Sequence, residues 1–225
     1  PQITRADLSS AAKIGAYAFA YCRQMTEVIL NPAITEIPEY AFAGCISLVT
    51  IDLSNITTVG NHAFIEDEAL VSVNLSKAES IGEFAFVYCD NLSDVVLCSS
   101  GSTIGEGAFS YCEKLSTITN LNCCKKLDSY AFAYTAITQM DLSGAETLGD
   151  FVFMKEDLTP VTVKLGSALT SIGDNPFTMC TLEPLYTEET VSFNGTDYAS
   201  KVYTYDISDT VKVIDGSLYC QIDTG

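Results

Sequence analysis

A phenylalanine returns along this chain at a nearly constant interval, and that period limits the possible folds more than any other feature. It falls at Phe19, Phe42, Phe64, Phe86, Phe109, Phe132, Phe153 and Phe177, with intervals of 23, 22, 22, 23, 23, 21 and 24 residues. A period in this range marks a chain built from one supersecondary unit stacked on copies of itself. No single unit can bury its apolar face alone. Stability is then close to a sum of unit terms and neighbour interfaces.

Other positions keep the same phase. Five residues before each Phe stands an aliphatic: Ile14, Ile37, Val59, Ile81, Ile104, Leu127, Leu148 and Ile172. Gly follows it at Gly15, Gly60, Gly82, Gly105, Gly149 and Gly173, with Pro38 and Asp128 in the other two units. Such residues punctuate a chain and re-aim it. Three after the Phe comes Cys22, Cys45, Cys89, Cys112 or Cys180, replaced elsewhere by Asp67, Thr135 and Glu156. A short pattern L-x-x-I-x-L follows, as in Leu48, Ile51, Leu53 and in Leu70, Val73, Leu75. Its period of two predicts a half-buried strand, one short parallel strand per coil. The segment around Ala41-Phe42 is too short for a full helix, so a single helical or 3₁₀ turn is expected there.

The repeat divides the chain. Residues 1–13 read as an N-terminal capping half-coil, with Ile3 and Leu8 where a preceding strand would lie. Residues 14–185 form about eight coils. Residues 186–225 carry Asn194-Gly195 and Asp215-Gly216 between β-branched and aromatic runs, a hairpin signature. This last part reads as a C-terminal β-hairpin cap or an irregular last repeat.

The run Ile81-Gly82-Glu83-Phe84-Ala85-Phe86-Val87-Tyr88-Cys89-Asp90-Asn91-Leu92, continued by Val95 and Leu97, resembles the BspA-like class of leucine-rich repeat proteins. The resemblance spans residues 14 to about 185. It departs around Phe153, where Val152 replaces the Ala, and around Phe132, where Asp128 replaces the Gly. It implies an α/β solenoid: a right-handed superhelix with a parallel sheet on its concave face and short helical or 3₁₀ turns opposite. It also implies a secreted or surface-attached bacterial protein, of a class with members that act in adhesion.

Composition narrows the function. There are 29 Asp and Glu against 11 Lys and Arg, a net charge of −18. A field of that sign repels phosphate backbones and anionic lipid, and suits a basic partner. No apolar run approaches the ~18 residues of a membrane span, so no membrane insertion is expected. The chain starts at Pro1 with no basic, apolar leader and reads as a trimmed one, which leaves secretion open.

No constellation of catalytic type stands out. The in-phase cysteines sit a whole repeat apart, so they form a ladder in the core rather than a converging metal site. Cys98, Cys123, Cys124 and Cys220 lie outside the ladder, and a bridge from Cys98 to Cys123 or Cys124 is one option for them. The lone His62 occupies a slot that holds Tyr17, Tyr40, Phe84 and Tyr130 in other coils, so it reads as another flat ring and not as a triad member. Neither a phosphate-binding loop nor a calcium loop occurs, and no cofactor is expected.

What remains is the strand face. Residues flanking the central aliphatic point outward. They give two rows of short polar and acidic groups: Glu27, Thr50, Asp52, Ser72, Asn74, Asp94, Thr117, Thr119, Gln139 and Asp141. Ile29 and Val96 share the second row. Tyr21, Tyr88, Tyr111 and Tyr134 make a further row behind the Phe anchors. The expectation is a monomeric, non-enzymatic interaction module. It would bind an extracellular protein or glycan through this concave face. The competing expectation is a structural spacer presenting another part of a larger surface protein.

Overall fold

In a computed structural model the chain coils as a parallel-strand solenoid. The structure describes residues 2–156, 160–165, 168–178, 181–182, 190–193, 196–199, 211–214 and 217–221. Each coil places its Phe ring on the axis. The rings of Phe42, Phe64, Phe86, Phe109, Phe132, Phe153 and Phe177 are fully buried. They stack face to face from Phe19 to Phe177, at centroid separations of 5.0 to 5.9 Å. Beside them lie the aliphatic slots (Ile37, Val59, Ile81, Ile104, Leu127, Leu148) and the leucines of the strand pattern, in one continuous core.

Two parallel ladders run along the axis, where one was expected. The first is built from two-residue strands at the aliphatic slot: Glu36–Ile37, Thr58–Val59, Ser80–Ile81, Thr103–Ile104, Lys126–Leu127, Thr147–Leu148 and Ser171–Ile172. They form an unbroken seven-stranded sheet. The second follows the L-x-x-I-x-L pattern and is divided. Arg5–Leu8 pairs with Glu27–Leu30. Ser72–Asn74, Asp94–Val96 and Thr117–Thr119 make a second piece. Gln139–Leu142, Pro160–Leu165 and Thr181–Leu182 make a third. Residues 50–52 join none of them.

The opposite wall corrects the expectation of helical turns. It is a run of β-turns, and the 3₁₀ turn Leu121–Cys123 is the sole helical element among the described residues. The reason lies in the dihedrals. In the coils from Phe19 to Phe132 two residues, two before and two after the Phe, adopt the left-handed region: in one coil Phe84 (φ 53) and Tyr88 (φ 60), in the next Gly107 (φ 57) and Tyr111 (φ 59). A left-handed residue every four positions stops a helix from propagating. It also turns alternate N–H groups along the axis. Phe84, Phe86 and Tyr88 thus donate to the carbonyls of Glu106, Ala108 and Ser110 in the next coil, at 2.8, 2.8 and 3.2 Å. The same three bonds recur at every junction from the first coil to Thr178.

Non-Gly residues at positive φ are strained. Here stacking offsets the strain. Tyr17, Tyr40 and His62 pile at 4.8 and 4.6 Å, and Tyr88, Tyr111 and Tyr134 at 4.8 and 4.3 Å. His62 is one flat ring among others, as expected. Where a coil carries Gly44 instead, the Tyr21 ring lies over it, so closely that a Cβ would come within 2.7 Å of Tyr21 Cδ1.

The glycine after the aliphatic slot has a different role. It is not among the positive-φ residues. A Cβ on Gly60 would meet the Glu39 backbone nitrogen at 2.6 Å, and one on Gly105 the Gly82 carbonyl carbon at 2.8 Å. Successive coils touch backbone to backbone there.

Near the C-terminus, Thr190–Phe193 pairs antiparallel with Thr196–Ala199, and Val211–Ile214 with Ser217–Gln221. These four strands form one antiparallel sheet. Asn194-Gly195 and Asp215-Gly216, the signals for these hairpins, lie outside the described residues, as does the connection 183–189.

Candidate binding face

The cysteine slot is architecture. Cys45, Cys89 and Cys112 are fully buried, and each Sγ–H donates to a Phe carbonyl of the preceding coil: Phe19, Phe64 and Phe86, at 3.3, 3.2 and 3.1 Å. Burial pushes the Cys45 and Cys89 thiols well up, away from reactive thiolate. Thr135 fills the slot by donating Oγ1–H to the Phe132 carbonyl at 2.9 Å. Asp67 fills it less well. Its Oδ1 accepts the Cys45 N–H at 2.7 Å, while Oδ2 is buried with no partner. Burial raises its pKa well above the carboxylate range.

Cys98, Cys123 and Cys124 are free thiols. Burial, then Cys123 and Cys98, pushes Cys124 up to about 12. Cys180 lies outside the described residues, as does the side chain of Cys220. Among the described residues, no three His, Cys, Asp or Glu side chains converge as a metal site would require, and no helix is long and apolar enough to cross a membrane.

The strand face divides into two rows with different chemistry. Glu27, Thr50, Ser72, Asp94, Thr117 and Gln139 form the first, all exposed. Register aligns Ser72 with Asp94 and Thr117, side by side on successive strands. The second row is Asp52, Asn74, Thr119 and Asp141, with Ile29 and Val96. Asp52, Asn74 and Thr119 are exposed, and Asp141 is half-buried. Several members of this row are tied to their own turns. Asp52 Oδ1 accepts the Ser54 N–H at 3.0 Å, Asn74 Oδ1 the Ser76 N–H at 3.1 Å, and Asp141 Oδ1 the Ser143 N–H at 3.1 Å. Asp7 does the same for Ser9.

The signal was present in the sequence as Asp7-Leu8-Ser9, Asp52-Leu53-Ser54, Asn74-Leu75-Ser76 and Asp141-Leu142-Ser143, an Asx turn that follows the L-x-x-I-x-L segment at these four places. Hydrogen bonding from the Ser54 hydroxyl, then its N–H, holds Asp52 below the usual carboxylate range. Burial pushes Asp141 up, but Ser143 and Lys164 outweigh it and leave its pKa lowered.

Charges at the two ends of the face are matched within the chain. Arg5 Nε contacts Glu27 at 2.8 Å, and its Nη2 contacts Asp7 at 3.2 Å. Lys164 contacts Asp141 at 3.0 Å. The ten residues are not on one continuous sheet. Thr50 and Asp52 fall in the first break, and a second break separates Thr117 and Thr119 from Gln139 and Asp141. At the second, Asn120 takes φ 66 and turns the chain into Leu121–Cys123, while its Nδ2–H donates to the Leu97 carbonyl at 2.9 Å. The next coil then reaches its strand one residue early, as Ile137 stands five after Phe132 where Leu115 stands six after Phe109.

Stacked coils, an axial Phe column and a parallel strand wall define a leucine-rich repeat solenoid. A family model described as BspA type leucine rich repeat region, in six copies, matches residues 3–115 and 79–202. The chain belongs to that family. It is similar to the T. pallidum leucine rich repeat protein, at 27% identity and TM-score 0.52, over 58% of this chain and 63% of that one. It also shares its fold with a leucine-rich repeat protein from Bacteroides ovatus, at 21% identity and TM-score 0.57, over 77% of this chain and 52% of that one. The chain therefore spans less than two thirds of either. No curated protein matches it. Repeat regions of this type are protein-interaction modules.

Proposed function

We propose that this chain is the non-enzymatic interaction module of a secreted or cell-surface bacterial protein, an adhesin that engages an extracellular protein or glycan through its strand face. The observation that carries the reading is the central ladder. Ser72, Asp94 and Thr117 share one register, with Asn74 and Thr119 beside them, on strands whose inward residues Val73 and Val95 are buried and Ile118 packs against the core. Short polar side chains on a fixed backbone lose little entropy on binding, so many modest contacts can add up. Family membership supports the same reading. The spacer reading draws support from the Asx turns, which give Asp52, Asn74 and Asp141 a structural task.

The test is a panel of extracellular-matrix proteins and glycans probed with the wild-type chain and with Ser72→Arg/Thr117→Arg. Both sites are exposed, so the fold is expected to survive. A ligand lost by the double variant assigns function to the face. A ligand retained unchanged, or none in the panel, favours the spacer.

A further inference from the structure

The first break in the strand ladder opens a cavity of about 200 Å3 between the first and second coils. Its wall is Val28, Ile29, Leu30, Pro32, Ile34 and Ile56, and its polar rim is Asn31, Asp52 and Asn55. Val28 and Leu30 are half-buried there, whereas the corresponding residues Val73 and Leu75 of the third coil are buried. The Asn31 side chain is used at both ends, donating to the Ala11 carbonyl at 3.0 Å and accepting the Ala33 N–H at 3.0 Å. Asn55 is engaged by Lys77 Nζ at 2.7 Å. Asp52 Oδ1 accepts the Ser54 N–H, and its carboxylate is the one formal negative charge on the rim.

Asp52 differs from its equivalents in one respect. Asp7, Asp52 and Asp141 occupy the same position of their coils, and all three cap a Ser N–H. Asp7 has Arg5 and Asp141 has Lys164 as counter-ion. Among the described residues, Asp52 has no ion-pair partner. The position corresponding to Lys164, in the coil that follows, is Asn74. An ionised carboxylate at the mouth of an aliphatic cavity, with the one nearby ammonium, that of Lys77, held on Asn55 and not ion-paired to it, fits a ligand that brings both an apolar stem and a positive head.

We propose that this cavity takes an arginine or lysine side chain of an extended polypeptide, its stem against Ile29, Pro32 and Ile56 and its charged head on Asp52. This rests on the strand-face reading above and narrows it from protein or glycan to polypeptide. The neighbouring backbone is suited to it, since residues 50–52 pair with no strand and Glu27–Leu30 pairs with Arg5–Leu8 alone among the described strands.

The probe is the peptide acetyl-Thr-Val-Arg-Val-Thr-amide, titrated at ~0.15 M salt to screen long-range attraction, with the isoleucine methyl signals of the chain as readout. Signals of Ile29, Ile34 and Ile56 are expected to shift. Replacing the arginine by citrulline, or Asp52 by Asn, is expected to weaken binding roughly fivefold or more. Asp52→Asn keeps the cap, as Asn74 does in the next coil. Asn74→Lys supplies the missing cation in place and is expected to block the peptide. Glu113→Gln, an exposed charge on the turn side, is expected to leave affinity unchanged. The proposal is overturned if those methyls do not shift, if citrulline binds equally, or if Glu113→Gln weakens binding as much as Asp52→Asn. Loss of a panel ligand in Ser72→Arg/Thr117→Arg, with the arginine peptide indifferent to Asp52→Asn, retains the strand face and rejects the cavity. Indifference to both rejects both.

Discussion

The turn wall and the strand wall of this solenoid are made by the same coils, yet one is continuous and the other broken. On the turn wall three hydrogen bonds cross every junction from Tyr17 to Thr178, and the Phe column runs inside it without a gap. On the strand wall the ladder stops twice. The difference follows from what each wall asks of its residues. The turn wall needs rings and left-handed backbones at fixed positions, and each coil locks the next through backbone contact. The strand wall needs only inward aliphatics, so its edges can part while the core stays closed. Rigidity belongs to the turn side. Freedom to vary the outer surface belongs to the strand side, where a binding face can be written without touching the fold.

That asymmetry can be challenged directly. The largest effect is expected from Phe86→Ala. The ring is packed between Phe64 and Phe109 at 5.0 and 5.1 Å, and its loss leaves a cavity worth about 3–5 kcal/mol. Chemical denaturation should show that loss, and hydrogen exchange should place the weakening in the coils around it.

Next comes backbone contact at the coil junctions. Gly105→Ala puts a Cβ within 2.8 Å of backbone that cannot give, and should cost roughly 1–3 kcal/mol. Gly15→Ala has open space in the same slot and should cost almost nothing. Equal melting temperatures for the two variants would refute the close-approach account.

The third effect is pH-dependent. Burial, reinforced by Glu66, raises Asp67 in the folded state, while hydrogen bonding from the Cys45 N–H works against it. The proton is therefore held more tightly in the folded than in the unfolded chain. This stabilisation is fully present below the unfolded value of about 3.9 and is lost as pH rises through the raised folded value. Asp67→Cys restores the ladder. It should stabilise the protein by roughly 1–3 kcal/mol at pH 8 and flatten that part of the pH profile, measured by urea unfolding at pH 4 and pH 8.

The smallest effect on stability is expected on the other wall. Ser72→Arg/Thr117→Arg should shift unfolding by no more than about 0.5 kcal/mol while removing a ligand. A large destabilisation there would erase the contrast between the walls.

Much of the molecule could be read from its residues. The axial column, the aliphatic slot, the Cys ladder and the ring at His62 all follow from period and phase, because a residue repeated in register must occupy one kind of place. The ten outward residues were legible from the period of two. Their separate tasks were legible only in part. The recurring Asp-Leu-Ser and Asn-Leu-Ser triplets could have marked Asp52, Asn74 and Asp141 as acceptors for their own turns. The turn wall departs from the single helical or 3₁₀ turn that the shortness of the segment suggested, because nothing local announces that Tyr17 or Tyr88 will adopt φ near 60. Bonds from their N–H groups to the next coil, together with stacking on the neighbouring ring, offset the cost of that dihedral.

The sequence by itself determined the repeat, its phase and which side chains face the core, since these depend on spacing alone. The tertiary structure decided how coils meet: two ladders rather than one, glycines shaped by backbone approach, and where the strand wall parts. Residues 50–52 obey the same pattern as their neighbours and still stand outside the ladder. Register between coils is set by every contact along the stack, and no single coil contains that information.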